Sequence, residues 1–169
     1  MNPQQPQYGA PVPPPMATPN RWGPTSFGME APVLAGLSYI SMFLIGIIGP
    51  LIVFFVEKNN RFVKFHAAQG ILIGIAEAVW IFALIILNTI LFSASVATAG
   101  TSSSAAAAAS TGFGLGVCVT GCVGFLGGLA LLAAVIWGAV AGFSGKATKL
   151  PLIGNIAEKW AGGPVTPAF

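Results

Sequence analysis

Between Glu30 and Glu57 the chain carries no charged residue, and between His66 and Lys146 it carries one, Glu77. No other feature restricts the fold as severely. A soluble domain gives roughly a quarter of its residues to charge because its surface faces water. Here 7% are charged and 55% hydrophobic. Apolar runs of this length exceed what a small aqueous core can bury, so acyl chains are the expected solvent. The expected class is an all-α integral membrane protein with about three transmembrane helices.

The expected spans are 32–56, 67–92 and 116–143. In the first, Pro50 has no amide hydrogen, so the carbonyl of Gly46 loses its helical partner. With Gly49 beside it, the expectation is one helix kinked at Gly49–Pro50, the alternative being two re-entrant half-helices. Residues 1–31, rich in Pro, Gln and Gly, cannot bury a core and are expected to form a disordered tail. Low-complexity residues 93–112, all Ser, Ala, Thr, Gly and Val, are expected as a loop, with their Ala run able to prolong a helix. In 146–160, Leu150, Leu152, Ile153, Ile156 and Trp160 can share one face opposite Glu158 and Lys159, as in an interfacial segment. Residues 161–169 are expected to be a disordered end. The N-terminus lacks the basic start and short apolar core of a signal peptide, so targeting is expected from the first membrane helix.

Cytoplasmic loops collect Lys and Arg. Turn 57–66 holds Lys58, Arg61 and Lys64, the loop at 93–112 holds none, and the C-terminal segment holds Lys146, Lys149 and Lys159. The turn and the C-terminus are therefore expected in the cytoplasm of a cell-membrane protein. Three spans would place the N-terminal tail outside, whereas a hairpin of half-helices would return it to the cytoplasm. Despite the net charge of +3, the basic residues are too scattered for a phosphate-tracking groove, so nucleic acid is not an expected partner. The lipid bilayer is, together with further copies of this chain or other membrane proteins.

Glu77 is the sharpest chemical signal. It lies about 15 Å into the second span, where an acid costs about 2.5–3.5 kcal/mol and ordinarily faces protein or water. Helical steps of seven and eleven place His66, Gly70, Glu77 and Asn88 on one face, with Gly74 beside it. That face can anchor hydrogen bonds to Ser38, Ser41 or Thr120, or line a polar path. In the third span Gly114, Gly121, Gly128 and Gly142 fall at multiples of seven, a seam that lets another backbone approach. Cys118 and Cys122, one helical turn apart, read as packing residues. Phe62 and Phe65 are expected at headgroup level, and His66, without a second ligand, as a packing or capping residue. The chain has no aspartate and no zinc-protease, phosphate-loop or nucleophile-elbow motif. No enzyme activity, metal or cofactor is expected.

Two stretches carry a resemblance. Arg61-Phe62-Val-Lys64-Phe65-His66-Ala-Ala-Gln69, after Gly49-Pro-Leu-Ile-Val-Phe-Phe, and the ending Lys149-Leu-Pro-Leu-Ile-Gly-Asn-Ile-Ala-Glu-Lys-Trp160 resemble a group of small bacterial membrane proteins of unknown function. That group is similar to the Tic-twenty-like import component of the chloroplast inner envelope. The resemblance covers about 33–92 and 113–160. It implies a multi-pass membrane protein and, from the plastid relative, a subunit of a channel or protein-translocon-like complex. No catalytic residues accompany it.

Overall fold

The computed structural model describes residues 21–98 and 103–165, and within them every regular element is an α-helix. Helix α1 spans Ala31–Ile45, α2 Ile48–Val56, α3 Arg61–Thr98, α4 Ser103–Phe143 and α5 Gly154–Trp160. Two stretches are long and apolar enough to cross a bilayer, Arg61–Ser95 and Gly116–Phe143. Helices α1 and α2 are not. With 15 and 9 residues, they reach about 22 Å and 13 Å against a hydrocarbon layer of about 30 Å.

The expected first span is therefore replaced by a helical hairpin. The break falls at Gly46, four residues before the proline. Gly46 adopts φ +61°, a conformation open to glycine at little cost. Its N–H still closes α1 by donating to the Met42 carbonyl at 3.0 Å. Pro50 sits in the first turn of α2, where its missing N–H leaves no bond unmade. The proline starts the second half-helix and does not kink the first. The hairpin tip seats on α3, where a Cβ at Gly70 would lie 3.0 Å from Pro50 Cγ, and one at Gly74 2.9 Å from Ile47 Cγ1.

Helices α3 and α4 run antiparallel along a seam of small residues on α4. A Cβ at Gly127 would overlap the Trp80 indole, one at Gly124 would lie 3.2 Å from Leu84, and one at Gly116 3.3 Å from Leu91. Near the other end of α4, α1 crosses it closely, and a Cβ at Gly142 would stand 2.8 Å from the Gly36 nitrogen. The hydrophobic clusters draw on the hairpin, the first turns of α3, the last turns of α4 and the C-terminal segment. Beyond the hairpin tip, among the described residues, α3 and α4 pair alone, with Phe82 and Ile90 exposed outward.

Other boundaries differ from expectation. Residues 21–30 pack against the bundle, Trp22 joining the core with Phe62 and Ala31, while residues 1–20 lie outside the described part. Most of 93–112 is helical backbone continuing α3 and α4. Ala161 is buried and Val165 packs on the core, so residues 161–165 are part of the fold, while residues 166–169 lie outside the described part. Because α1 and α2 return on themselves, the described N-terminal segment lies at the same end as turn 57–60 and residues 144–153.

Substitution should expose the close crossing. Gly142→Ala is expected to cost about 1–3 kcal/mol by forcing α1 from α4. Gly121→Ala, whose Cβ meets nothing within 4 Å, should be neutral or slightly stabilising through helix propensity. Thermal unfolding in detergent micelles checks both.

Candidate functional site

The densest polar chemistry lies where the N-terminal segment, turn 57–60 and the chain leaving α4 meet. Glu57 ends α2 and is fully buried. Its carboxylate accepts from Ser26 N at 2.8 Å, Ser26 Oγ at 3.0 Å, Asn59 N at 2.9 Å and Asn60 N at 3.0 Å. Asn60 is the N-cap of α3, its Oδ1 accepting from Val63 N at 3.2 Å. Its amide nitrogen donates back to the Trp22 carbonyl at 2.7 Å. Trp22 stacks on Phe62 at 4.1 Å and donates from Nε1 to the Gly145 carbonyl at 3.0 Å. Arg21 donates to the same oxygen.

One turn deeper, a second network ties α1, α3 and the outgoing chain. His66 Nε2 lies 3.1 Å from the Lys146 carbonyl. A carbonyl only accepts, so this nitrogen carries the proton. Nδ1 faces the Tyr39 hydroxyl at 3.2 Å, and that hydroxyl also reaches Gln69 Oε1 at 3.3 Å. Gln69 Nε2 donates to the Thr148 carbonyl at 3.1 Å. Buried polar groups linked this way fix one arrangement of the surrounding helices, because each broken link strands a polar atom away from water.

This geometry explains the Arg61–Gln69 pattern. Phe62, Phe65, His66 and Gln69 recur at helical spacing and point inward, while Arg61 faces outward and Lys64 places its ammonium 5.5 Å from the Phe54 ring. The two phenylalanines expected among lipid headgroups are 1% exposed. Phe65 packs on Ala157 and Ala161, docking α5 against α3. Outward from α5, Leu152, Ile156 and Trp160 stay exposed, a lip suited to the membrane interface.

The residues placed on one α3 face have three different settings. His66 is sealed in the network above. Asn88 accepts from Thr120 Oγ1 at 3.2 Å, bridging α3 and α4. Glu77 lies between them on the wall of a cavity of about 440 Å³. The hydroxyls expected to serve Glu77 are engaged elsewhere: Ser38 with Ala35, Ser41 with Ser38, and Thr120 with Asn88 and Gly116. Of the expected packing glycines, Gly70, Gly74 and Gly142 lie at close contacts, whereas Gly114, Gly121 and Gly128 face open space. Among the described residues, no three of His, Cys, Asp or Glu come together as a metal-binding group.

Glu57, Asn60, Tyr39 and Trp22 were not singled out by sequence reasoning. For Asn60 the signal was there, since an Asn just before an apolar-periodic run is an N-cap candidate; Glu57 had no such mark. Tyr39 and Trp22 carry no local pattern, since their partners lie far along the chain.

Fold and polar junction together define a helical membrane protein with two long apolar helices, a shorter hairpin beside them, and one heavily tied polar end. The chain belongs to the MamF/MmsF family, described as the magnetosome magnetite crystal formation protein family, whose model matches residues 28–157. That match overturns the likeness to the Tic-twenty-like group. Basic, aromatic-bearing turns between apolar helices arise wherever a helix pair must be tied at the membrane surface, so the pattern does not separate the two families. No curated protein and no solved structure gives a significant match.

Removing one donor–acceptor match at Glu57 should be costly. Glu57→Gln replaces an accepting oxygen with an NH₂ group facing N–H or O–H donors, with an expected loss of about 1–3 kcal/mol. Lys149→Ala breaks only a half-exposed ion pair with Glu158 of 2.8 Å and should leave the unfolding midpoint nearly unchanged. Parallel melts of both variants decide the contrast.

Proposed function

We propose that this chain resides in the membrane enclosing a growing magnetite crystal and influences crystal formation through protein and lipid contacts, without catalysing a reaction. The family description carries this reading, and the charge distribution supports a direction. All seven Lys and Arg residues belong to the end formed by residues 21–30, turn 57–60, the start of α3 and the chain after α4. The opposite turn, between α3 and α4, contains none. By the preference of Lys and Arg for the cytoplasm, the tied end faces the cytoplasm and the uncharged Ser, Thr and Ala turn faces the mineral compartment.

In that orientation the chain offers the mineral little to coordinate. Between Glu77 and Glu158 there is no Asp, Glu or His, the side chains that hold hard or borderline iron. A direct iron-binding template at that turn is therefore disfavoured, and action through the membrane and its other proteins is favoured. The absence of any nucleophile–base motif in the sequence supports a non-enzymatic role.

Deleting the chain from a magnetosome-forming cell that makes it should alter crystal size or number while membrane compartments still form. The intact gene should restore the crystals, measured by electron microscopy. Normal crystals in the deletion strain would refute the assignment.

A further inference from the structure

The cavity beside Glu77 lies just past the hairpin tip. Because α1 ends at Ile45, nothing of the hairpin covers the facing walls of α3 and α4 at this level. Ile73, Glu77, Trp80 and Leu84 form one wall, Gly124, Gly128 and Leu132 the other, and Met42 and Phe43 close the top. The volume, about 440 Å³, lies in the range that takes a small organic ligand, and a mostly apolar lining with few polar groups is typical of such sites.

Its polar content narrows the ligand. Glu77 stands about 24 Å along α3 from Arg61, deep in the apolar layer, on a wall open to lipid. Trp80 adds no donor to the cavity, because its indole N–H is buried where the ring packs on Gly127. Gly128 leaves the opposite wall flat, since a Cβ there would meet nothing within 4 Å. A single carboxyl group at this depth, in an otherwise apolar lining, matches a neutral, flat molecule bearing carbonyl or hydroxyl oxygen. Phospholipids carry their oxygens at the interface, and their tails offer only hydrocarbon. A charged ligand would meet one acid and an otherwise apolar lining, too little to replace its water.

We propose that this cavity binds a lipid-soluble quinone or quinol, its ring lying against Gly128 and one ring oxygen hydrogen-bonded to Glu77. The site is a binding site only, and it stands independently of the role in crystal formation.

The test uses the full chain in phospholipid nanodiscs and a photoreactive azidoquinone with a ten-carbon tail, its crosslinks mapped by mass spectrometry. Labelling should saturate, fall within residues 73–84 and 124–135, and be displaced by excess decylubiquinone. Gly128→Leu fills the flat wall and should abolish displaceable labelling. Leu132→Trp, at the rim, does the same if the first variant fails to fold. Glu77→Leu should weaken binding about tenfold, the equivalent of about 1.4 kcal/mol, whereas Glu77→Gln retains a donor and an acceptor and should bind. Gly114→Leu, outside the cavity, should change nothing. Labelling spread along the lipid-facing helices, unaffected by competitor or by the cavity-filling variants, overturns the proposal. So does recovery of a phospholipid that the quinone cannot displace.

Discussion

A backbone that turns back inside an apolar layer must satisfy its own polar groups, and the reversal at Gly46 sets the terms for the rest of this fold. Unsatisfied N–H and C=O groups there would each cost several kcal/mol. The turn meets that demand locally: Gly46 N reaches the Met42 carbonyl, Gly49 N the Gly46 carbonyl, and Leu51 N the Ile47 carbonyl. Proline supplies a residue with no N–H to satisfy. Ile47 and Pro50 then seat one side of the tip against Gly74 and Gly70, while Gly46 itself stays exposed, its polar groups held by the turn's own bonds.

The early reversal divides the molecule into unequal halves. Toward the polar end, the hairpin, α3, α4 and α5 share a core, and two buried hydrogen-bond networks bind them to both ends of the described chain. Glu57 and Asn60 anchor the N-terminal segment, while Tyr39, His66 and Gln69 anchor the chain after α4. Away from that end, among the described residues, only α3 and α4 remain, joined by the Gly116, Thr120, Gly124 and Gly127 seam and the Asn88–Thr120 bond. The cavity at Glu77 marks the boundary between these halves. It exists because α1 stops short, and its acid sits where four-helix packing gives way to two.

Much of this was legible in the sequence, and the misses have physical causes. Long apolar runs reveal a membrane protein because charge is so costly in hydrocarbon. The Gly46–Pro50 stretch announced an interruption but not its angle, since a proline can kink one helix or open another. Small residues on α4 were visible, yet their seven-residue spacing pointed to Gly114 and Gly121, which face open space, and to Gly128, which lines the cavity. The contact with α3 follows the four-residue step Gly116, Thr120, Gly124. Partners such as Glu57 with Ser26 and His66 with Lys146 are 31 and 80 residues apart, beyond the reach of local periodicity. The family, too, lay beyond the basic turn, which reports how helices are tied and not what the protein serves.

The hairpin is tested most directly by asking whether its two ends share a side of the membrane. In sealed proteoliposomes of the chain with Cys118 and Cys122 replaced by alanine, a single cysteine at Phe27 and one at Lys58 can be probed with an impermeant maleimide. Within each orientation of the inserted protein, both positions should be labelled or protected together, and opposite to a cysteine at Gly100. Labelling of the Phe27 and Lys58 positions from opposite sides would mean that residues 31–56 cross the bilayer as one span and that no hairpin forms.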